Sequence, residues 1–443
     1  MILISFWVEL YKPKHQGGDN VQDYRKRSFI NKLLSVVSGV CLFAVSFVSP
    51  AAEPIVIGLP LNQTGPVGVA DHQDHLNGTI LAIEEINAAG GVLGRQLAYK
   101  VVDTDLLTPD GTQAGFQGLV DAQVHAISSP FVLITNPAMD VAAAYGAPYL
   151  TGDTKIDAIN YYKSDPQKFS NWFHIDPPEV NYGVGMIPFL DALKASGKWK
   201  PLNNKIHLVQ GQIGYNQRIS EATIQAIEDS NGRWELAGIT DLQDPVNDWG
   251  PIIRDIHKHE AAFVMLNHWV AAFYASFAEQ YQVNPVKGSL VYMQYGPSQP
   301  EFLELAGEAA EGYIWSTVLG VYNDEQGSKF RAKYKKRFPG VMGLAYTGMG
   351  YDVVHVLKNA WEAVGDPNDF EAVNEYIANH HYRGVVGWYM LDNDCHCSPA
   401  YPDEVDDINK GMGHLFFQVQ DGEHKIIAPD PLVESTFRPA PWF

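Results

Sequence analysis

Two short stretches gather residue types that could bind metal or do redox chemistry. Asp71-His72-Gln73-Asp74-His75 places two imidazoles and two carboxylates within five residues. A metal centre needs three or four convergent ligands, and His72 and His75 lie three apart with no second cluster nearby in sequence. The stretch therefore reads as a solvated helix start, with a ligand or hinge contact as the alternative and metal behind both. Asn393-Asp394-Cys395-His396-Cys397 sets two thiols around a histidine. A structural zinc site wants four ligands and usually at least two residues between cysteines. A Cys395–Cys397 disulfide or another redox pairing, and plain thiols, are the open readings. His257-Lys258-His259-Glu260 and His380-His381 read as solvated helix ends, where the dipole favours cations. Gly348-Met349-Gly350 lacks a third glycine and a preceding strand, so it is no nucleotide fingerprint. With no G-x-S-x-G elbow, phosphate loop or H-E-x-x-H helix, no catalytic set is visible and the expectation is a protein that is not an enzyme.

The chain that must position such residues has 443 of them, 46% hydrophobic and 19% charged, an ordinary globular composition with room for two domains. Its net charge of -20 excludes a basic nucleic-acid face and disfavours anionic lipid. Residues 1–52 differ from the rest. Arg25, Lys26, Arg27 and Lys32 precede an uncharged run over 33–52 that ends Ser49-Pro50-Ala51-Ala52. Basic residues, an apolar stretch and a small-residue end predict a secretory signal peptide after a long lead-in, cleaved behind Ala51 or Ala52. An uncleaved anchor is the alternative, weakened by Pro50 and four serines. Beyond it only Cys395 and Cys397 remain as thiols, so an apolar core and not a disulfide frame must stabilise the chain.

From residue 54 short apolar strands alternate with amphipathic helices. PIVIGLP (54–60) reads as a strand, and Leu76, Ile80, Ile83 and Ile86 mark one helical face. Gly90-Gly91 closes that helix and LAYKVV follows as a strand. Asn136-Pro137 opens another helix. KIHLV (205–209), AAFVML (261–266) and SLVYMQY (289–295) are further strands, each followed by a helical segment. The rhythm predicts parallel sheets covered on both faces, in two such domains. HLFFQVQDGEHKIIAP (414–429) reads as a hairpin around Asp421-Gly422.

The order Gly65-Pro66, then Ile86-Asn87-Ala88-Ala89-Gly90-Gly91, then a strand running to Asp103 and Asp105, resembles the leucine/isoleucine/valine-binding family of periplasmic solute-binding proteins. The likeness continues through TNPAMDVAAAYGAPYL, YNQRISEATIQAIE, AAEGYIWST and YDVVHVLKNAWEAVG, essentially all of 54–443. It implies an α/β fold of two doubly wound Rossmann-like lobes, joined by three hinge crossings near 175–180, 316–321 and 388–393. The first lobe would be 53–176 plus 319–389 and the second 177–318 plus 390–443. The protein would be a periplasmic monomer that closes on a small-molecule ligand and delivers it to a membrane ABC permease, without a cofactor, a metal or nucleic acid. A sensor feeding a membrane signalling protein, or an amide-type regulator, is the alternative.

In the amino-acid-binding relatives, hydroxyl residues after the third strand hold the carboxylate and an acid in the second lobe holds the ammonium. Here those positions fall near Phe131-Val132-Leu133 and at Tyr295, so both ends of the clamp are altered. The cleft positions implied by the resemblance are Phe131, Val132, Leu133, Asp153, Thr154, Tyr215, His268, Trp269, Tyr295 and Tyr346. Such a wall suits a flat aromatic or amide-like molecule better than a branched-chain amino acid.

Overall fold

The computed structural model describes residues 52–443 except positions 244 and 247, so the export segment expected over 1–52 lies outside the described residues but for its last position. The first sheet has strands β1 (Ile55–Leu61), β2 (Leu97–Asp103), β3 (Ala126–Ser129), β4 (Tyr149–Thr151) and β5 (Trp172–His174). They are all parallel, in the order β2-β1-β3-β4-β5. Between them run α1 (Val69–Ala88), α2 (Pro109–Asp121), α3 (Thr135–Tyr145) and α4 (Ile156–Ser164). The turn from α1 into β2 depends on Gly91: its φ is +80°, and a Cβ there would stand 2.0 Å from the Arg95 carbonyl oxygen.

The chain leaves this sheet through α5 (Val180–Val184) and α6 (Met186–Ala195). It then repeats the pattern with β6 (Lys205–Gln210), α7 (Gly214–Asp229), β7 (Glu235–Asp241), α8 (Gly250–His259) and β8 (Phe263–Asn267). α9 (Ala271–Tyr281), β9 (Leu290–Gln294), α10 (Glu301–Ala306) and β10 (Ile314–Thr317) follow. β7-β6-β8-β9-β10 are again parallel, in the same winding order as the first sheet. β8 and β9 are buried along their whole length, as continuous apolar strands with both faces covered must be.

After β10 the chain returns through α11 (Glu325–Arg337) to α12 (Tyr346–Val364), which packs along α1, and then α13 (Phe370–Asn379). The buried Asp352 of α12 accepts the Val385 and Val386 amides and the Tyr389 hydroxyl. It thereby pins the small hairpin of β11 (Tyr382–Gly384) and β12 (Gly387–Tyr389). A short pair, β13 (Ala400–Tyr401) and β14 (Met412–Gly413), leads into β15 (Leu415–Gln420) and β16 (Glu423–Ala428). That hairpin turns at Asp421 and Gly422, both at positive φ, and adds antiparallel strands beside β10. Among the described residues no helix is long and apolar enough to cross a membrane.

Candidate functional site

Two parallel sheets of this winding present their carboxyl ends as a crevice, where ligands bind in open α/β folds. One cavity of about 60 Å³ sits there. At roughly 10–15 Å³ per water it holds a handful of waters, the space of a small organic molecule. Loops after β3 and β4 supply Phe131, Leu133, Asp153, Thr154 and Lys155. Residues after β6, β8 and β9 supply Ile213, Tyr215, Trp269 and Tyr295, while α5 adds Tyr182 and the first turn of α12 adds Tyr346.

The rings meet across the crevice. Phe131 lies 6.0 Å from Trp269 at 75° and 5.6 Å from Tyr346, and Tyr346 lies 6.0 Å from Tyr295. These are edge and tilted contacts of the kind that aromatic quadrupoles favour. Thr154 and Tyr295 have φ of 48° and 54°, a region that β-branched and bulky residues rarely occupy. Backbone strain of this kind concentrates at ligand clamps.

The charges of the wall are already engaged. Lys155 donates to the Val132 carbonyl at 2.6 Å, the Leu133 carbonyl at 3.1 Å and the Thr135 hydroxyl, and lies 3.4 Å from Asp153. Burial raises the Asp153 carboxyl, with Lys155 opposing that shift. Asp71 accepts the Tyr295 hydroxyl at 2.6 Å and the Gln299 amide at 2.8 Å. Its burial pushes the carboxyl up to about 7. What the wall offers a ligand is ring faces and hydroxyls. Tyr215 accepts from the Gln294 amide at 3.0 Å and keeps its own proton to give, and the buried Tyr182 hydroxyl has no hydrogen bond of good geometry.

Of the positions singled out in the sequence, Phe131, Leu133, Asp153, Thr154, Tyr215, Trp269, Tyr295 and Tyr346 converge on this cavity. His268 lies in an adjoining, wider groove of about 680 Å³ that shares Leu133, Tyr215 and Trp269 with it. Val132 is fully buried behind the wall, where its amide meets Asp153 and its carbonyl meets Lys155. Sequence reasoning missed Lys155, Tyr182 and Ile213. Lys155 had a signal, since it directly follows Asp153-Thr154; Tyr182 and Ile213 had none.

The two histidine clusters differ in their surroundings. Asp71, His72, Asp74 and His75 are buried in α1, not solvated. His72 packs edge-on to Phe131 at 4.7 Å, and His75 bonds Ser128 at 3.0 Å. Burial holds both imidazoles neutral, down at about 3. The stretch 257–260 does end α8, with Lys258 and Glu260 exposed as expected, while the ring of His259 is partly covered and packs 4.3 Å from that of His207. Cys395 and Cys397 are joined by a disulfide.

The sequence model of a family described as periplasmic binding protein matches residues 54–401. No curated protein matches the chain. A crystal structure from Silicibacter pomeroyi, named for a branched-chain amino acid ABC transporter, is 31% identical at TM-score 0.81 and covers 88% of this chain and 100% of that one. A branched-chain amino acid binding protein from Streptococcus pneumoniae in complex with isoleucine is 16% identical at TM-score 0.68, covering 85% and 100%. A solute-binding protein from R. palustris in complex with 4-hydroxybenzoate is 15% identical at TM-score 0.68, covering 88% and 98%.

Proposed function

The chain belongs to the periplasmic binding protein family of ABC transporters, and from that premise we propose that it captures a flat aromatic or amide-like molecule between its lobes and hands it to an importer. The carrying observation is the cavity wall: six aromatic side chains, and one lysine and one aspartate that already neutralise each other. A zwitterionic amino acid needs a free partner for each of its charges, because an unpaired charge in a closed site is costly. Here both wall charges are engaged, and the Asp71 carboxylate is taken by Tyr295 and Gln299. An aromatic or amide compound needs ring faces and hydroxyl donors, which the wall has. The same fold holds isoleucine in one protein and 4-hydroxybenzoate in another, so the choice of ligand rests with the wall.

In this reading the lobes are 53–176 plus 319–389 and 177–318 plus 390–443, and they close as a hinge when ligand bridges them. The mature chain is a periplasmic monomer that docks on a membrane permease. Cells test export and delivery together. Fractionation should find the cleaved chain in the periplasm, and deleting its gene should lower uptake of labelled 4-hydroxybenzoate or benzamide while leucine uptake persists. A chain retained in the cytosol, or loss of leucine uptake alone, would contradict the proposal.

A further inference from the structure

A second cluster of ligating side chains stands on the edge of the second sheet, outside the cavity. His207 points from β6, and Asp255 and His259 come from α8. Asp255 and His259 are four apart, so they project from one helical face, and that face packs over the strand bearing His207. One ring nitrogen from each histidine and one carboxylate oxygen all lie within 4.8 Å of one another. His207 Nε2 and His259 Nδ1 each stand 3.8 Å from Asp255 Oδ2. Ligands at about 2.0–2.1 Å from a tetrahedral zinc ion sit roughly 3.4 Å apart. Each histidine already stands 3.8 Å from Asp255, while the two histidine nitrogens lie within 4.8 Å of each other and close further as His259 Nδ1 turns from the Asp255 carbonyl it meets at 2.9 Å.

Three surrounding features bear on a bound cation. His207 is wholly buried and its Nδ1 has no hydrogen-bond partner. Thr240 of β7 donates to Asp255 and so accepts from His207 Nε2 at 2.8 Å, a proton that a metal ion on that nitrogen would displace. Gly238, paired with His207 across the strands, leaves room for His259: a Cβ there would stand 2.4 Å from its Nε2. Asp255 and His259 are only partly buried, so an ion has a path in from solvent. Lys258, 3.9 Å from Asp255, is the one cation in competition among the described residues, and it is largely exposed.

We propose that His207, Asp255 and His259 bind a divalent transition-metal ion of the zinc type, with two nitrogen ligands, one carboxylate ligand and one open position. The ion clamps the edge strand β7 and helix α8 to β6, at a place separate from the ligand cavity. Zinc titrated into the protein against a chelating dye tests this. The expected result is one equivalent held at micromolar affinity or tighter, with Asp255→Asn and His259→Gln each weakening it at least tenfold. Cobalt in its place should give the visible absorption of a four-coordinate ion, and that band should vanish in both variants. Both positions are partly exposed, so the variants should keep the unliganded melting temperature, which shows that they fold. Zinc lost wholly to the dye by the unaltered protein, or held equally by both variants, would overturn the proposal.

Discussion

Trp269 and Asp71 carry the clearest consequences for single side chains. Trp269 is half-buried and contributes a ring face to the cavity. Trp269→Ala should weaken an aromatic ligand by tenfold or more, about 1.4 kcal/mol, in a calorimetric titration, while the unliganded melting temperature changes little. Asp71 is different because its proton is linked to stability. Its carboxyl stands near 7 in the fold against 3.8 in the open chain, raised mainly by burial. Between those values the folded state binds the extra proton, so this group's contribution to stability falls as pH rises from about 4 to about 7. Asp71→Asn removes that dependence. Urea unfolding across this range should find the variant gaining on the unaltered protein by on the order of 1 kcal/mol per pH unit. Parallel curves would refute the assignment. The burial of Asp71 was not legible in the sequence, since DHQDH reads as polar and its partner Tyr295 lies 224 positions away. The aromatic positions were legible only through the resemblance to the family, which implies where the cleft lies; no periodicity displays them.

At the scale of elements, β1, β2, β6, β8 and β9 were readable, and so was the closing hairpin at Asp421-Gly422, whereas β7, β10 and the short strands β3, β4 and β5 gave no pattern of their own. Less readable was the segment around Cys395, which carries no periodicity. It runs beside β5 and extends the first sheet: the His174 amide donates to the His396 carbonyl at 2.9 Å, and the His396 ring stacks on Phe173 at 5.1 Å. The disulfide closes a loop of only three residues, so the chain entropy it removes is small. Reduction should therefore lower stability by no more than about 2 kcal/mol in a denaturant titration and leave ligand affinity unchanged. A larger loss, or loss of binding, would mean that this segment governs the hinge.

For the whole molecule, the repeated winding order of the two sheets sets their carboxyl ends at one crevice, and every wall residue but Tyr182 and Tyr346 stands at those ends. Phe131 follows β3 of the first sheet, Trp269 and Tyr295 follow β8 and β9 of the second, and Tyr346 opens α12, so a molecule in the cavity would touch residues set by both sheets. The family and fold were legible from the order of motifs; the engaged state of Lys155 and Asp153 was not, because it depends on backbone carbonyls that no pattern displays. A thermal-shift panel on the purified protein asks whether Lys155 and Asp153 stay engaged with each other when ligand binds. The panel holds 4-hydroxybenzoate, benzoate, benzamide and urea beside leucine, isoleucine and valine. A ligand at a thousand times its dissociation constant adds roughly 4 kcal/mol of stability. The expected result is a clear rise in melting temperature with at least one aromatic or amide compound and none with the amino acids. A strong shift with leucine or valine alone would contradict it, and would show that Asp153 and Lys155 release each other to clamp a zwitterion.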